Sequence, residues 1–345
     1  MSDKATVLVT GGSGFIGGWC VVGLLAQGYT VRTTVRDLKR EASVRAALSK
    51  AAPDAANPER FKFFAADLMS DAGWDAATQG CEYVLHVASP LGVAEPKNPD
   101  DLIVPAREGA KRAVNAAIKA GVKRVVLTSS VAATSKGEAG GKDSLSDETV
   151  WTDSNAPGVS AYSRSKTLAE RAAWDLIKAS GGKTTLATVN PSLVLAPVLS
   201  GDFSESVQVI TRLLSGKVPG IPRLGFNIVD ARDVADLHIR AMTAPNAAGE
   251  RFIAANQYAW FAEIADLLRA KLGADAGKVP TRRVPDFVLR LAALFDPQLR
   301  SVTPNLGKKR DYSSAKAQRM LGWKPRPMQD TVIETAKSLI ASGAV

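Results

Sequence analysis

The sequence predicts an α/β fold, a doubly wound parallel sheet with a smaller, mostly helical C-terminal region. A short apolar run rich in Val and Thr, residues 5–10, breaks at glycines before an apolar helical pattern over 15–26. Residues 30–35 form the next strand-like run, and this alternation continues to residue 189. Beyond that point, prolines interrupt the pattern at Pro191, Pro197, Pro219 and Pro222.

The other elements of the sheet follow from the same signals. Continuous apolar runs predict strands that are buried on both faces, and longer periodic segments predict the helices between them. The predicted strands cover 61–66, 83–88, 124–128 and 184–189. The predicted helices cover 41–50, 101–120 and a segment that begins at residue 162.

Composition limits the classes of function. The chain has 345 residues, 46% of them hydrophobic, which is enough to bury a large core. No apolar run approaches the roughly 20 residues that span a bilayer, and the N-terminus enters a strand rather than a signal peptide. The net charge of +10 is spread out without a basic motif interleaved with aromatic residues. We expect a cytoplasmic protein without a nucleic-acid or membrane partner.

Cysteine and histidine usage argues against a disulfide framework and a metal site. The two cysteines, Cys20 and Cys81, lie in an apolar helical pattern and before a strand. The two histidines, His86 and His238, are far apart and no carboxylate cluster with metal-ligand spacing accompanies them. We therefore predict no metal, and we expect His86 to be a packed strand residue rather than an acid or base.

The first glycine turn carries the spacing of a dinucleotide fingerprint. Gly12-x-Gly14-x-x-Gly17 matches it, and a second register begins at Gly11. Without Cβ atoms the backbone can approach a pyrophosphate, which the N–H groups of the following helix can bind. A glycine turn without a ligand is the alternative, but its place between a predicted strand and helix favours a Rossmann site. The residues assigned to the cofactor here are Gly11, Gly12, Ser13, Gly14, Phe15, Ile16 and Gly17.

The end of the second strand indicates which nicotinamide cofactor is used. An acid there hydrogen-bonds the adenosine ribose, whereas an arginine accommodates a 2′-phosphate. Arg36 follows the strand directly, and Asp37 comes next among several positive residues, including Lys39. We therefore predict NADP(H), with Arg36 and Lys39 at the phosphate. The alternative is a solvated arginine that pairs with Asp37.

Small and polar residues follow two other predicted strands, at the sheet edge where ligands bind. Asp67 and Leu68 follow the third strand and can reach the adenine, although an aspartate that caps the next helix explains the pattern equally well. Val87, Ala88 and Ser89 end the fourth strand, where small residues let a cofactor lie close. We assign these five residues to the cofactor site.

The segment that begins at Tyr162 contains an acid–base pair. In a helix, Tyr162 and Lys166 lie one turn apart on the same face. A cation beside a phenol favours the phenolate, so we expect a tyrosine pKa below its usual value of about 10. A chance pair on a solvated helix is the alternative. The fifth strand ends at Thr128, and the serines after it, Ser129 and Ser130, offer a hydroxyl that can converge with the phenol.

Together these residues resemble the extended short-chain dehydrogenase/reductase family. Within that family, residues 28–37 and 87–90 are similar to the dihydroflavonol reductase and aldehyde (carbonyl) reductase branch. The motifs that carry the resemblance cover nearly the whole chain: TGGSGFIG at 10–17, TSS at 128–130, Tyr162-x-x-x-Lys166, NPS at 190–192, VDARDVA at 229–235 and LGWKP at 321–325.

The resemblance implies roles for single residues. It implies that Ser130 hydrogen-bonds a substrate carbonyl and that Tyr162 donates the proton. Lys166 would lower the tyrosine pKa and hold the nicotinamide ribose, while hydride comes from the cofactor. Further cofactor contacts are expected from Thr128, Pro191 and Ser192, and substrate contacts from Pro90, Ser130, Val131, Leu193 and Phe226.

The sequence departs from the plant members of this branch at two places. Ser43 stands where they carry a basic residue near the NADP phosphate, and Arg45 or Lys39 are candidates to replace it. The loop after Ser130 also lacks the asparagine typical of flavonoid-reducing members near Ser135. A flavonoid substrate is therefore not predicted.

Extended members of the family return to the sheet after a proline-rich stretch and finish with helices. Residues 228–242 and the run near Phe252 fit that return, and helices are expected over 260–272, 285–295 and 329–340. We therefore predict two domains. The NADP-binding Rossmann domain comprises 1–190 and 228–258, and the substrate-binding lid comprises 191–227 and 259–345.

The predicted function is the reversible NADPH-dependent reduction of an aldehyde or ketone to an alcohol, with a small-molecule carbonyl or alcohol as partner and a monomer or homodimer as the active form. One alternative is a nucleotide-sugar epimerase or dehydratase with tightly bound NAD, which uses the same Tyr-Lys pair. The other is a sensor that binds NADP without turnover. The identity of the carbonyl compound, the stereochemistry and the physiological direction stay open.

Overall fold

The computed structural model describes residues 4–90, 96–200, 204–295 and 302–345. The strands are β1 (Thr6–Thr10), β2 (Thr30–Val35), β3 (Phe61–Ala65), β4 (Tyr83–His86), β5 (Arg124–Thr128), β6 (Asp143–Ser146), β7 (Thr185–Pro191), β8 (Leu193–Leu195), β9 (Gly225–Asp230), β10 (Arg251–Ala254), β11 (Gln257–Trp260) and β12 (Lys309–Tyr312). The helices are α1 (Phe15–Ala26), α2 (Glu41–Ser49), α3 (Trp74–Thr78), α4 (Asp100–Lys119), α5 (Ala161–Ala179), α6 (Gln208–Leu214), α7 (Ala231–Thr243), α8 (Phe261–Leu272), α9 (Asp286–Ala292), α10 (Ala315–Leu321) and α11 (Met328–Ala341).

The main sheet confirms the predicted fold class. It has seven strands in the order β10-β7-β5-β4-β1-β2-β3, and every neighbouring pair in it is parallel. The chain starts in the interior at β1, runs outward to β3, and then returns to β4 on the other side of β1. The strand order therefore reverses between β1 and β4, which is the point where a doubly wound sheet binds ligands.

Several predicted elements agree with the structure to the residue, among them α1, β2 and β5. β4 is shorter than predicted and ends at His86. The reason is a change of hydrogen-bond partner, because the N–H groups of Val87 and Ala88 both donate to the Thr10 hydroxyl at 3.0 Å. The chain thus leaves the sheet two residues earlier than the apolar run suggests.

The core lies on both faces of the main sheet. Val7, Leu8 and Val9 are consecutive in β1 and are all 0% exposed, so helices must cover both sides of this strand. Cys20 and Cys81 are buried free thiols, and burial raises their pKa values to about 12 and about 11. Neither thiol is therefore ionised near neutral pH.

The C-terminal region adds two small sheets to its helices. β8, β9 and β11 form a three-stranded sheet in which β9 is parallel to β8 and antiparallel to β11. β6 and β12 pair in parallel and form a two-stranded sheet. This pairing, which the sequence does not predict, joins the loop before α5 to a segment near the end of the chain.

The last part of the chain divides between two hydrophobic cores. Trp323 is 1% exposed and packs in the core of the main sheet, where its indole N–H donates to the carbonyl oxygen of Asp233 at 2.9 Å. α10 likewise packs on β10 and α7, whereas α11 packs on α6 and α8. Residues 315–323, which the predicted division assigns to the lid, therefore pack with the core of the main sheet. No helix within the described ranges is long and apolar enough to cross a membrane.

Candidate active site

The turn after β1 is tight because its glycines lie against main chain. Gly11 has a φ of 68°, and its carbonyl oxygen accepts the N–H of Gly14 at 2.9 Å. A Cβ at Gly17 would overlap that same carbonyl oxygen, and one at Gly12 would overlap a threonine side chain of β2. α1 begins at Phe15 without a side-chain cap, so its N-terminus presents main-chain N–H groups to an anion.

A cavity of about 600 Å³ lies over this turn and follows the carboxyl ends of β1 to β4. Its volume is within the range of roughly 300–1,000 Å³ that small-molecule sites occupy. Most of the predicted cofactor residues line it: Gly11, Ser13, Gly14, Phe15, Ile16, Gly17, Arg36, Asp67, Leu68, Val87, Ala88 and Ser89. The predicted adenine-binding Asp67 also accepts the N–H of Met69 at 2.7 Å, so it caps a turn and lines the cavity at once.

Two arginines border the cavity beyond the end of β2. Arg36 is exposed and forms no ion pair within the described ranges. The Asp37 carboxylate instead accepts the N–H of Lys39 at 2.9 Å. Arg40, to which the sequence assigns no role, lines both this cavity and an adjoining one of about 200 Å³ that Gly12 borders.

Lys39 and Arg45 are the candidates to replace the basic residue that plant members carry at the position of Ser43, and neither is in the described lining of this cavity. Lys39 is exposed and is absent from the described lining of both cavities. Arg45 is held elsewhere, since its guanidinium donates to Glu41 at 2.7 Å and to the carbonyl oxygen of Phe61 at 2.9 Å. Arg36 and Arg40 are therefore the basic residues in the described lining of this cavity.

The end of β4 is fixed to β1 through a buried histidine. The Thr10 hydroxyl hydrogen-bonds with His86 Nδ1 at 2.9 Å. Burial, together with the charge of Lys166, lowers the pKa of His86 to about 3. The imidazole is therefore neutral and packed, as predicted.

Thr128, Pro191 and Ser192 lie at the carboxyl ends of β5 and β7. The Thr128 hydroxyl hydrogen-bonds with His238 Nε2 at 2.7 Å in the core. Pro191 ends β7, and the N–H of Ser192 donates to the carbonyl oxygen of Ala254 at 3.0 Å. The hydroxyl of Ser192 is buried without a hydrogen-bond partner in the described part of the chain. Such a group is costly unless a ligand pairs with it.

The structure brings the three predicted catalytic residues together. α5 begins where the Ser160 hydroxyl caps it by accepting the N–H of Ser163 at 3.1 Å. Lys166 Nζ lies 5.7 Å from the centroid of the Tyr162 ring. The hydroxyl of Ser130, on the turn after β5, hydrogen-bonds with the Tyr162 phenol.

The electrostatics of this group differ from the expectation. Burial raises the pKa of Tyr162, and the hydrogen bond with Ser130 offsets only part of that rise. Burial also lowers the pKa of Lys166 to about 8. The expected fall of the tyrosine pKa is therefore wrong, because the loss of water around the phenol outweighs the hydrogen bond with Ser130. The phenol keeps its proton at neutral pH, which is the form that a proton donor needs.

Glu170 belongs to the same helix face but has no predicted role. It lies one turn beyond Lys166 and is 0% exposed. Its carboxylate accepts hydrogen bonds from Ser129 Oγ at 2.5 Å and from Arg251 Nε at 2.7 Å. The spacing of four residues from Lys166 is the one local signal for this position.

The predicted substrate residues occupy different surroundings. Pro90 lines the large cavity, and Val131 begins a short 3₁₀ turn after β5. Leu193 and Phe226 are partly buried against the core of the C-terminal region, where Phe226 packs edge-on to Phe261 with ring centroids 6.5 Å apart. Their role in substrate binding stays a prediction.

Comparison with known proteins identifies several relatives. A cinnamoyl-CoA reductase of Medicago truncatula, CAD2, is 37% identical over 268 residues, which cover 76% of this chain and 79% of the relative. A protein of Ginkgo biloba described as a putative anthocyanidin reductase is 36% identical over 295 residues, covering 81% of this chain and 83% of the relative.

A solved structure of similar fold is the yeast methylglyoxal/isovaleraldehyde reductase Gre2 complexed with NADPH. It is 25% identical, has a TM-score of 0.81, and the match covers 99% of this chain and 100% of Gre2. The family model described as "NAD dependent epimerase/dehydratase family" matches residues 7–255. The chain therefore belongs to the NAD dependent epimerase/dehydratase family and, within these extended short-chain dehydrogenases/reductases, to the dihydroflavonol reductase and carbonyl reductase-like branch.

Proposed function

We propose that the protein catalyses the reversible reduction of an aldehyde or ketone to an alcohol with NADPH. The predicted enzyme class, an NADP-dependent oxidoreductase, is confirmed by the reductase relatives and by the NADPH-bound reductase of the same fold. The observation that carries the proposed mechanism is the convergence of Ser130, Tyr162 and Lys166. Ser89 links this group to the cofactor cavity, since it lines that cavity and also a small one that Lys166 borders.

The residues present fit NADP(H). At the glycine turn, Gly17 lets α1 pack closely on the main chain of Gly11, and the N-terminus of the helix borders the cavity where a pyrophosphate would bind. We propose that Arg36 and Arg40, which border the cavity, bind the 2′-phosphate, because a guanidinium can grip a phosphate bidentately. The buried hydroxyl of Ser192, which has no partner in the described residues, would pair with the nicotinamide end.

The proposed mechanism assigns one task to each catalytic residue. When bound, the reduced cofactor supplies hydride to the carbonyl carbon. Tyr162 transfers its phenolic proton to the carbonyl oxygen, and Ser130 donates a hydrogen bond to that oxygen as negative charge develops on it. Lys166 is positively charged below about pH 8 and stabilises the tyrosinate until a proton from solvent restores the phenol.

A panel of carbonyl compounds tests the proposal. Aromatic aldehydes, β-keto esters, diketones and sugar nucleotides would each be incubated with the enzyme while NADPH oxidation is followed. We expect turnover with at least one carbonyl class and no epimerised sugar. Tightly bound NAD together with an epimerised sugar nucleotide would contradict the reductase, and NADPH binding without turnover on any compound would favour the sensor.

The remaining parts of the proposal concern the whole molecule. We propose a small-molecule carbonyl or alcohol as partner, and we retain a cytoplasmic location and a monomer or homodimer as predictions from the sequence. The division into a cofactor domain and a substrate lid also stays part of the proposal, with 315–323 moved to the cofactor side because Trp323 packs in that core.

A further inference from the structure

Glu170 lies at the centre of a buried polar cluster. Its side chain is 0% exposed and that of Arg251 is 7% exposed. Oε1 accepts hydrogen bonds from Arg251 Nε at 2.7 Å and Thr188 Oγ1 at 3.1 Å, and Oε2 accepts from Ser129 Oγ at 2.5 Å and Asn190 Nδ2 at 2.9 Å. A buried carboxylate is tolerated only when it is paired and hydrogen-bonded, and both oxygens here are.

The cluster holds the turn that carries Ser130 on both sides of that residue. The Ser129 hydroxyl donates a hydrogen bond to the buried carboxylate of Glu170. Asn190 Nδ2 also donates to the carbonyl oxygen of Ser130 at 3.2 Å, and Arg251 Nη2 donates to the carbonyl oxygen of Ala133 at 3.3 Å. Hydrogen bonds of the Glu170–Arg251 pair and of Asn190 therefore hold the turn on both sides of the Ser130 hydroxyl.

Arg251 also binds the loop that runs from this turn to α5. Its Nη1 donates to the carbonyl oxygens of Glu148 and Val150, each at 2.8 Å. Its guanidinium lies 3.7 Å from the centroid of the Trp151 ring, which adds a cation–π contact. Arginine suits this position because its planar fork can serve several acceptors at once.

The position of Glu170 on α5 links the cluster to the proton donor. Tyr162, Lys166 and Glu170 are spaced four residues apart, so they share one helix face. One helix thus carries both the phenol and the carboxylate that anchors the serine turn. The separation of the Ser130 and Tyr162 hydroxyls is then set through the buried carboxylate.

We propose that Glu170, paired with Arg251, is a positioning residue that holds the Ser130 hydroxyl against Tyr162. This inference rests on the proposed function. In the described part of the chain, neither residue lines the large cofactor cavity, and Glu170 borders instead the small cavity that Ser89 and Lys166 also line. We therefore expect the pair to affect the chemical step rather than the affinity for the cofactor.

The test is a double-mutant cycle between Glu170 and Ser130. Glu170→Gln keeps the size of the side chain but leaves the buried Arg251 without a charged partner. We expect kcat to fall about tenfold, with the Kd of NADPH unchanged. In a Ser130→Ala background the same substitution should lower kcat less than about twofold, because the hydroxyl that it positions is absent.

Asp230 provides a matched control. It is a second buried carboxylate paired with an arginine, since its side chain is 0% exposed and Arg232 Nη2 donates to its Oδ2 at 2.7 Å. Asp230→Asn should lower the Tm of the protein while kcat stays at the wild-type value. If Glu170→Gln does not fold, Arg251→Lys replaces it in the cycle, since a lysine keeps the charge but loses the fork that reaches Ala133.

The outcomes separate the inference from the proposed function. An active wild type in which the losses at Glu170 and Ser130 are additive would overturn the positioning role, because Glu170 would then act on the fold alone. A wild type that reduces no carbonyl compound would contradict the proposed function, and the inference would fall with it. Non-additive losses with unchanged NADPH affinity would support both.

Discussion

The ammonium nitrogen of Lys166 lies 5.7 Å from the centroid of the Tyr162 ring, and burial shifts the pKa values of the two side chains in opposite directions. The tyrosine pKa rises, and the lysine pKa falls to about 8. Near neutral pH both groups therefore hold their protons. The site contains a neutral donor beside a cation, ready for proton transfer to a carbonyl oxygen.

Replacing Tyr162 with Phe should abolish most of the reductase activity. The substitution removes the phenolic proton, and the loss of a positioned general acid lowers kcat by about 10²-fold or more. NADPH should bind as it does to the wild type, because the ring and its packing remain. Steady-state rates and an NADPH titration of the same preparation check both expectations. A variant with wild-type kcat would exclude Tyr162 as the proton donor.

The reductase rate should fall on the alkaline side of pH 8. Lys166 is charged below its pKa of about 8 and neutral above it, so the cation that stabilises the tyrosinate is lost as the pH rises. We expect kcat to decline about tenfold per pH unit beyond that point. The pH profile of Lys166→Arg is the control, since arginine stays charged and should remove this decline. A flat wild-type profile up to about pH 10 would contradict the role of Lys166.

Arg36→Ala and Arg40→Ala should each weaken NADPH binding much more than NADH binding. Both side chains border the cavity beyond β2, and a charge-assisted hydrogen bond to phosphate is worth about 1.5–3 kcal/mol. The Kd of NADPH should therefore rise roughly ten- to a hundredfold in each variant while that of NADH stays nearly constant.

Arg45→Ala is the control for these two variants, because its guanidinium is occupied by Glu41 and main-chain carbonyls. It should lower the stability of the protein without changing the preference for NADPH. Equal losses of NADPH and NADH affinity in Arg36→Ala or Arg40→Ala would remove that residue from the phosphate site.

Gly17→Ala should lower cofactor affinity by at least about tenfold, since the new Cβ would overlap the carbonyl oxygen of Gly11 and push α1 away from the turn. Gly23→Ala, on the same helix, is the comparison. Its Cβ would meet only the end of the Ile239 side chain, which can move. NADPH titrations of both variants distinguish the effects, and equal affinities would argue against pyrophosphate binding at this turn.

Trp323→Phe should destabilise the protein without changing its chemistry. The indole is 1% exposed, and its N–H satisfies the carbonyl oxygen of Asp233. Losing this hydrogen bond and part of the buried ring should cost about 1–3 kcal/mol of unfolding free energy, which urea unfolding can measure. Because the side chain lies in the core of the main sheet, kcat should not change. A large fall in kcat under conditions where the variant is fully folded would show that this segment affects the active site.

The main sheet is predictable from the sequence because each of its elements carries its own signal. β5 is a short run in which every residue is buried, and α1 is apolar along its whole length between glycines. The glycine turn and the catalytic pair are similarly local, since residues two to five positions apart define them. Such features need no knowledge of what lies elsewhere in the chain.

Contacts between distant segments leave no comparable signal. Glu170 and Arg251 are 81 residues apart, and a charged residue in a helix ordinarily predicts exposure rather than a buried ion pair. The choice of Arg40 over Lys39 depends on how a 3₁₀ turn directs side chains that are adjacent in sequence. The tyrosine pKa likewise depends on burial, which a spacing pattern does not contain.

The pairing of β6 with β12 determines when the loop before α5 can reach its final structure during synthesis. β6 lies in the loop between Ser130 and Tyr162, and its partner strand ends at Tyr312. During synthesis from the N-terminus, the glycine turn, α5 and the catalytic residues emerge long before that strand. β6 can therefore pair only after residue 312 has been made, so the loop between Ser130 and Tyr162 reaches its final structure later than the glycine turn and α5.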